Sequence, residues 1–224
     1  MIPTLATHVP RAAARFFPDL LWRVHTDART VYLTFDDGPT TALTLPLLEL
    51  LDRFNARASF FLLGKHAALL PDAVREIAAA GHTIGNHTYT HPDAWLTPAS
   101  HVVAELDRTT YTLEDLLGRP IRLMRPPYGR FTQSMRLWCQ SRRQRMTMWD
   151  IMPGDFLPGI RQAKLERIML SCVRPGSIIV LHDNPKARVA MPPALETVLR
   201  TLSADGWRFL PLHPQAPGAH PGDS

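Results

Sequence analysis

Short apolar runs alternate with longer helical patterns between about residue 30 and residue 210. The apolar runs predict strands at 31–35, 58–63, 83–85, 122–124, 146–149, 177–181 and 207–210. Polar residues scarcely alternate with apolar ones inside these runs, which is typical of parallel strands buried on both faces. The sequence therefore predicts an α/β fold, and either an open doubly wound sheet or a closed (β/α) barrel satisfies the alternation.

Helical periodicity fills the segments between the predicted strands. The predicted helices are 43–54, 67–80, 98–117, 132–141, 162–173 and 192–204. Glycines follow several of them, as at Gly81, Gly118 and Gly206, where a residue without a side chain favours the end of a helix. The sequence contains no internal repeat or linker that would divide this region.

The composition is that of an ordinary globular protein. The chain has 224 residues, 45% of them hydrophobic and 20% charged, which excludes a disordered or membrane-embedded chain. The formal charge is +5, and basic and aromatic residues are not interleaved as in a nucleic-acid-binding surface. Cys139 and Cys172 cannot form a disulfide framework with several bridges.

Three units are expected along the chain. Residues 1–30 carry apolar side chains interrupted by prolines and arginines, which predicts an N-terminal flap or an amphipathic segment, with possible peripheral contact to a membrane. Because a continuous apolar signal-peptide core is missing, a cytoplasmic or membrane-surface location is expected. Residues 31–211 form the main domain, residues 212–224 are expected to be a disordered tail rich in proline and glycine, and a monomer is expected.

Polar side chains follow five of the predicted strands at the point where each strand ends. They stand in the segments TFDDGP, NHTYTH, RPPYG, WDIMPGDF and LHD. Because reactive residues of parallel α/β folds gather at the carboxyl ends of the strands, these groups are expected to share one rim. The Asp-Gly pair in the first segment is also a common turn signal.

Two histidines in the second segment have the spacing of a ligand pair. His87 and His91 lie four residues apart, so a helical turn would place both imidazoles on one side. One carboxylate from the first strand would complete three protein ligands, and such a set leaves positions open for water and substrate, as in catalytic zinc sites. The same spacing also occurs on helix surfaces that bind nothing.

The five segments resemble, in order, the motifs of the polysaccharide deacetylase family, also called carbohydrate esterase family four or the NodB-homology domain. The resemblance covers residues 31 to about 210. It implies a distorted (β/α) barrel with about seven parallel strands. It also implies metal-dependent removal of acetyl groups from N-acetylated sugars.

The resemblance assigns roles to the residues of the first three segments. It makes Asp37, His87 and His91 the metal ligands and leaves Asp36 as the general base. Arg125 resembles the family arginine that keeps the base ionised and oriented. The backbone N–H of Tyr128 resembles the donor that stabilises the tetrahedral oxyanion.

The resemblance assigns the general acid and its partner to the last two segments. His182 resembles the general acid that protonates the leaving amine, and Asp155 resembles the carboxylate that keeps this imidazole protonated. Asp150 is a rival partner for His182, and Asp183 is expected to be a turn residue. Met152 stands where the family often has an aspartate and Phe156 where it has a tryptophan, which leaves the shape of the acetyl-binding pocket open.

Four residues are expected to contact substrate under this resemblance. They are Pro127, Tyr128, Phe156 and Leu181. The expected cofactor is a divalent metal, with zinc favoured by the ligand set. The alternatives are a carbohydrate-binding protein with an inactive site, a hydrolase of a non-sugar amide and a magnesium-dependent phosphatase. Two histidine ligands argue against the phosphatase, because magnesium prefers oxygen ligands.

Overall fold

A computed structural model of the protein describes residues 11–215 and 218–219. Its strands are β1 (Arg23–Val24), β2 (Thr30–Asp36), β3 (Ser59–Leu62), β4 (Thr83–Asn86), β5 (Leu123–Met124), β6 (Arg145–Met146), β7 (Ile178–His182), β8 (Arg208–Phe209) and β9 (Gly218–Ala219). Its helices are α1 (Arg11–Phe16), α2 (Thr44–Arg53), α3 (Gly64–Leu69), α4 (Pro71–Ala79), α5 (Ala99–Leu117), α6 (Gln133–Arg142), α7 (Gln162–Cys172) and α8 (Met191–Ala204). A short 3-10 turn covers Pro127–Gly129.

Seven strands form one parallel sheet. Its order is β6-β5-β4-β3-β2-β7, and β8 pairs with the start of β2. The chain beyond β6 continues to Ile151, which bridges Ile179 of β7, so the two edges of the sheet are linked. The predicted α/β class with seven parallel strands is confirmed, and the arrangement is consistent with a distorted barrel.

The central strands are buried on both faces, as their apolar sequences predict. Leu33, Phe35 and Phe60 have no exposed surface, and the rings of Phe35 and Phe60 stack with centroids 5.0 Å apart. Asp36 at the end of β2 lies in register with Phe61 of β3 and His182 of β7. This register brings the ends of neighbouring strands to one rim.

The helix predicted over 67–80 is wrong in one respect, because the structure has two helices there. α3 ends at Leu69 and α4 begins at Pro71, with Leu70 between them in a non-helical conformation. Proline has no N–H to donate, and it disfavours helical geometry in the residue before it. The break allows α3 to begin at Gly64, which places His66 at the rim.

Both terminal segments contact the main domain where they are described. Leu20, Leu21 and Trp22 are buried, and Leu21 forms a bridge with Thr147. The predicted flap or amphipathic segment also includes residues 1–10, which lie outside the described residues, and its role stays a prediction. Among the described residues, no helix combines the length and the apolar character needed to cross a membrane.

The start of the predicted tail differs from the expectation of a frayed segment. Leu212 is buried, and its N–H donates to the Ser59 hydroxyl at 2.8 Å. Gly218–Ala219 pairs with β1 in an antiparallel ladder. Apolar burial and a backbone hydrogen bond therefore continue the ordered chain past the predicted boundary.

Candidate active site and metal centre

A cavity of about 470 Å³ opens at the carboxyl ends of the strands. The predicted site residues that line it are Asp36, Asp37, His87, His91, Tyr128, Phe156 and His182. Arg125 and Asp155 have no exposed surface and lie directly behind the residues they contact. The structure therefore brings together residues from five segments that are distant in the sequence.

Three potential metal ligands converge at this cavity. One ligand atom from each of Asp37, His87 and His91 lies within 4.8 Å of the others. Asp37 Oδ1 is 3.7 Å from His87 Nε2 and 3.4 Å from His91 Nε2. Carboxylate oxygen and imidazole nitrogen are ligands of catalytic zinc, so the donor set fits a divalent transition metal.

Contacts behind the ligands fix their orientation. His87 Nδ1 lies 2.8 Å from the Arg125 carbonyl oxygen, an acceptor that requires the proton on Nδ1 and leaves Nε2 free toward the cavity. Burial, assisted by the neighbouring His87, lowers the pKa of His91 to about 4. His91 is therefore neutral at physiological pH, which is the form that binds a metal.

The two histidines do not lie on the helical turn that their spacing suggests. They stand in the loop after β4, where Thr88 and His91 have positive φ angles of 67°. The Glu105 carboxylate accepts hydrogen bonds from the N–H groups of Tyr89 and Thr90 and holds the loop. The loop still brings the imidazole centroids to 5.0 Å, so the pair converges by another geometry.

Asp36 is the last residue of β2, and Asp37 no longer has the extended backbone conformation of a strand. Its φ angle is 76°, in the left-handed region, so its side chain turns away from the direction that strand alternation would impose. Burial alone would raise the pKa of Asp37, but the charges of His87 and His182 and a 2.8 Å hydrogen bond from Asn184 outweigh burial and lower it. The carboxylate form is thereby favoured.

Asp36 is held by a buried arginine. Arg125 Nη1 donates to Asp36 Oδ1 at 2.7 Å and to the Thr34 hydroxyl at 2.7 Å, and Nη2 donates to the Met148 carbonyl at 2.8 Å. Its guanidinium carbon lies 4.2 Å from the centroid of the Phe61 ring. A guanidinium fixed in this way orients one carboxylate oxygen of Asp36 and leaves the other free.

His182 and Asp155 form a second buried pair. Asp155 Oδ1 lies 2.9 Å from His182 Nδ1, and Oδ2 accepts the backbone N–H of His182 at 2.7 Å. Burial alone would lower the pKa of His182, but the charge of Asp155, with smaller contributions from Asp36 and Asp37, raises it to about 9. The imidazole is thus protonated at neutral pH, with Nε2 available to a ligand.

Tyr128 lies at the mouth of the cavity, on the 3-10 turn. Its φ angle is 58°, and its ring meets the His91 ring edge-on with centroids 4.5 Å apart. Within the described residues its backbone N–H has no hydrogen-bond acceptor, although Gly129 N–H and Arg130 N–H both have one. This N–H is the group to which the resemblance assigns the oxyanion.

Two of the predicted substrate contacts, Leu181 and Pro127, are not among the residues that line the cavity. Leu181 is fully buried in the hydrophobic core, and Val180 lines the cavity in its place. Side chains alternate along a strand, so the residue two positions before His182 shares its face and the adjacent residue does not. Pro127 is buried within the turn, and Pro126, just before it, lines the cavity.

The two remaining acidic candidates lie away from the cavity. Asp150 accepts hydrogen bonds from the Ile178 N–H at 2.7 Å and the Ser177 hydroxyl at 3.0 Å, at the start of β7. It is therefore not the partner of His182. Asp183 accepts hydrogen bonds from the hydroxyls of Thr40 and Thr44, which is consistent with the expected turn role.

Sequence reasoning missed two residues that hold Asp37. Asn184 Nδ2 donates to its carboxylate, and His66 Nδ1 lies 2.7 Å from its carbonyl oxygen. Both side chains line the cavity. His66 lies on α3, which follows β3, and the end of β3 is not among the five polar segments, so the rule that strand ends carry function applies to it as well.

The fold and this site together define a class of protein. Three protein ligands that leave open coordination positions, beside a paired carboxylate and a paired imidazole, form the kind of site used in metal-dependent hydrolases.

Comparison with known proteins identifies the family within this class. Residues 23–146 match the model of the polysaccharide deacetylase family, which is more than half of the chain. A peptidoglycan-N-acetylglucosamine deacetylase of Bacillus cereus is 33% identical over 81% of this chain and 66% of its own length. A chitooligosaccharide deacetylase of Azorhizobium caulinodans is 32% identical over 85% of this chain and 96% of its own length.

A solved structure has the same fold. A crystal structure of a peptidoglycan N-acetylglucosamine deacetylase in complex with an N-hydroxybenzamide derivative superimposes with a TM-score of 0.84 at 29% identity, over 90% of this chain and 94% of the other. The chain belongs to the polysaccharide deacetylase family.

Proposed function

We propose that this protein hydrolyses the acetamide group of N-acetylglucosamine units in peptidoglycan or chitooligosaccharides and releases acetate. The proposal is supported by the relatives named for these two substrates, each about one-third identical to this chain. One observation carries it: three metal-ligand atoms within 4.8 Å of one another share a cavity with the Asp36–Arg125 and His182–Asp155 pairs.

We propose zinc as the metal at Asp37, His87 and His91. Two imidazoles and one carboxylate suit zinc better than magnesium, which prefers oxygen ligands. A divalent ion bound there would supply Lewis acidity to the acetyl carbonyl and to the attacking water. Measuring the metal content of the purified protein, followed by activity after chelation and reloading with single metals, tests this choice.

The first half of the reaction needs a base and an oxyanion donor. Asp36 accepts a proton from the attacking water, and the hydrogen bond from Arg125 orients this carboxylate. The new bond joins the water oxygen to the carbonyl carbon, and the carbonyl oxygen gains negative charge. The free backbone N–H of Tyr128 donates to that oxygen.

The second half needs an acid. His182, held protonated by Asp155, donates its Nε2 proton to the amide nitrogen as the carbon–nitrogen bond breaks. Acetate and the free amino sugar leave. Because the pKa of His182 is raised to about 9, the proton is present across the neutral range.

Acetate release tests the proposal against its alternatives. The purified protein is incubated with chitooligosaccharides, peptidoglycan fragments, an N-acetylated amino acid and a phosphate monoester, each with and without chelator. Acetate from the sugars alone, abolished by chelator, supports the proposal. Saccharide binding without acetate release would indicate an inactive binding protein, and release from the amino acid alone would indicate a non-sugar amide hydrolase.

Location and peripheral membrane contact through residues 1–30 also stay predictions. Phe16 in this segment is 78% exposed, which suits contact with a lipid surface. Cosedimentation with anionic vesicles, compared for the full chain and a Phe16→Ser variant, tests the contact. Equal binding by both proteins would show that Phe16 takes no part in the membrane contact. Size-exclusion chromatography with light scattering tests the expected monomer.

A further inference from the structure

An exposed tryptophan stands beside the mouth of the cavity. Trp95 is 64% exposed, whereas the other four tryptophans, all within the described residues, are buried or half-buried. Exposure alone does not distinguish Trp95 from other exposed aromatic side chains, but its position beside the cavity leaves its ring open to a ligand that extends out of the site. Trp95 does not line the cavity itself.

The Trp95 ring is held in place although it is exposed. Its Nε1 donates to the Phe131 carbonyl oxygen at 3.2 Å, and its backbone N–H donates to Asp93 Oδ1 at 3.0 Å. The Arg130 guanidinium carbon lies 4.9 Å from the ring centroid, and Arg130 is itself paired with Asp93. The ring therefore has a fixed orientation before any ligand binds. Little side-chain entropy is lost when a ligand stacks on it.

Arg130 links this ring to the active site. The same guanidinium carbon lies 5.8 Å from the Tyr128 ring, which is 63% exposed and contacts the metal-ligand candidate His91. Two exposed aromatic rings thus flank one cation, and the inner ring lines the cavity.

We propose that Trp95, supported by Arg130 and Asp93, forms an outer subsite that binds a sugar unit beyond the one that loses its acetyl group. This inference rests on the proposed function, because the occupant is the same saccharide chain. A pyranose ring has an apolar face that stacks on an aromatic ring and hydroxyl edges that bond to charged groups, and both partners are present here. The preferred substrate is accordingly an oligomer.

The test compares substrates of different length. Trp95→Ala is expected to lower kcat/KM for the N-acetylglucosamine hexamer about tenfold, mainly through KM, because one stacking contact is lost. Activity on a small aryl acetate, which cannot reach Trp95, should stay within about twofold of the unchanged protein. Trp95→Phe keeps a flat ring and should recover most of the loss on the hexamer.

Tyr111 provides a matched control. It is 59% exposed and its ring lies 5.4 Å from the Arg142 guanidinium carbon, but it stands on α5 outside the cavity. Tyr111→Ala should change neither substrate. An equal loss on both substrates in Trp95→Ala, or no loss on the hexamer, would overturn the subsite.

A binding measurement separates this inference from the proposed function. If the unchanged protein releases no acetate from any sugar, the proposed function fails, but calorimetric titration with the hexamer still tests the subsite. Weaker binding by Trp95→Ala than by Tyr111→Ala would support it. Equal binding by the two variants, or no binding by the unchanged protein, would contradict it.

Discussion

The two ends of strand β7 each meet a buried aspartate from the same segment of chain. At the first residue, Ile178, Asp150 accepts the backbone N–H and the neighbouring Ser177 hydroxyl. At the last residue, His182, Asp155 accepts the backbone N–H and pairs with the imidazole. Each carboxylate accepts a backbone N–H of β7. They differ in their side-chain partner, which is the Ser177 hydroxyl for Asp150 and the His182 imidazole for Asp155.

This difference separates a structural carboxylate from a functional one. Burial raises the pKa of Asp150 to about 6, although Arg174 Nε lies 3.7 Å from its Oδ2. Asp155 instead raises the pKa of a histidine that faces the cavity. Because the group that Asp155 stabilises faces the cavity and the groups that Asp150 contacts do not, we expect chemistry at the carboxyl end of β7 and a structural role for Asp150 at its amino end.

The largest effect is expected at the carboxyl end of β2. Asp36→Asn keeps the size of the side chain and a contact to Arg125 but removes the base, so kcat should fall about 10³-fold. Steady-state acetate release measures the loss. Asp150→Asn, the same change at the amino end, should leave kcat within about twofold, and comparable losses in the two variants would contradict the contrast between the ends.

The next effect concerns the partner of the acid. Asp155→Asn should lower kcat about 10²-fold, because the imidazole loses the charge that keeps it protonated. Since His182 must be protonated to act and its pKa is raised to about 9, activity should fall as pH rises through that value. In the variant the fall should begin at lower pH, and a kcat–pH profile with an unmoved basic limb would exclude this role for Asp155.

A smaller effect is expected on the stability of the protein, from Asp150 at the amino end of β7. The pKa of Asp150 in the folded protein, about 6, lies above its ordinary value of 3.8, so its contribution to stability is present at low pH and is lost as pH rises through 6. Asp150→Asn removes this titration. The unfolding free energy of the variant relative to the unchanged protein should rise by about 2 kcal/mol between pH 4 and pH 7.

Urea unfolding at a series of pH values measures this difference. The charged groups that face Asp150 are Arg174 and Arg23. A pH-independent difference between the two proteins would show that Asp150 does not titrate in this way.

The smallest effect is expected behind the metal ligands. Asn184→Ala removes the hydrogen bond to Asp37 Oδ2, so the affinity for zinc should fall about tenfold, as is usual when the partner of a ligand is lost. Competition with a fluorescent chelator measures the affinity. Lys186→Ala, two residues further on and also at the cavity, is the control and should leave the affinity unchanged.

Much of the fold and part of the site could be predicted because they depend on local patterns. The buried strands are apolar along their whole length, and the residues that end them stand in the same places in sequence and structure, as Asp36 and His182 illustrate. Proline geometry predicts the break at Pro71, but the helical periodicity of the sequence continues across it and favours a single helix. The alternation of side chains along a strand, counted back from His182, predicts Val180 and not Leu181 at the cavity.

Other parts of the site depend on contacts between distant segments. His66 and Asn184 both follow Asp37 in the chain, by 29 and 147 residues, and reach it only in the folded protein. The positive φ angles of Asp37 and His91 set where their side chains point. Neither an alternation pattern nor a residue spacing contains this information, since both describe only a single segment.

The sequence by itself determined the parallel α/β fold and the set of polar groups at the ends of its strands, because apolar periodicity and strand ends are properties of short segments. Only the tertiary structure decided which aspartate, Asp150 or Asp155, meets His182, and that the exposed Trp95 lies beside the site. The physical reason is that strand register and the linking of the sheet edges fix distances between segments, and those distances set the hydrogen bonds and charges of the site.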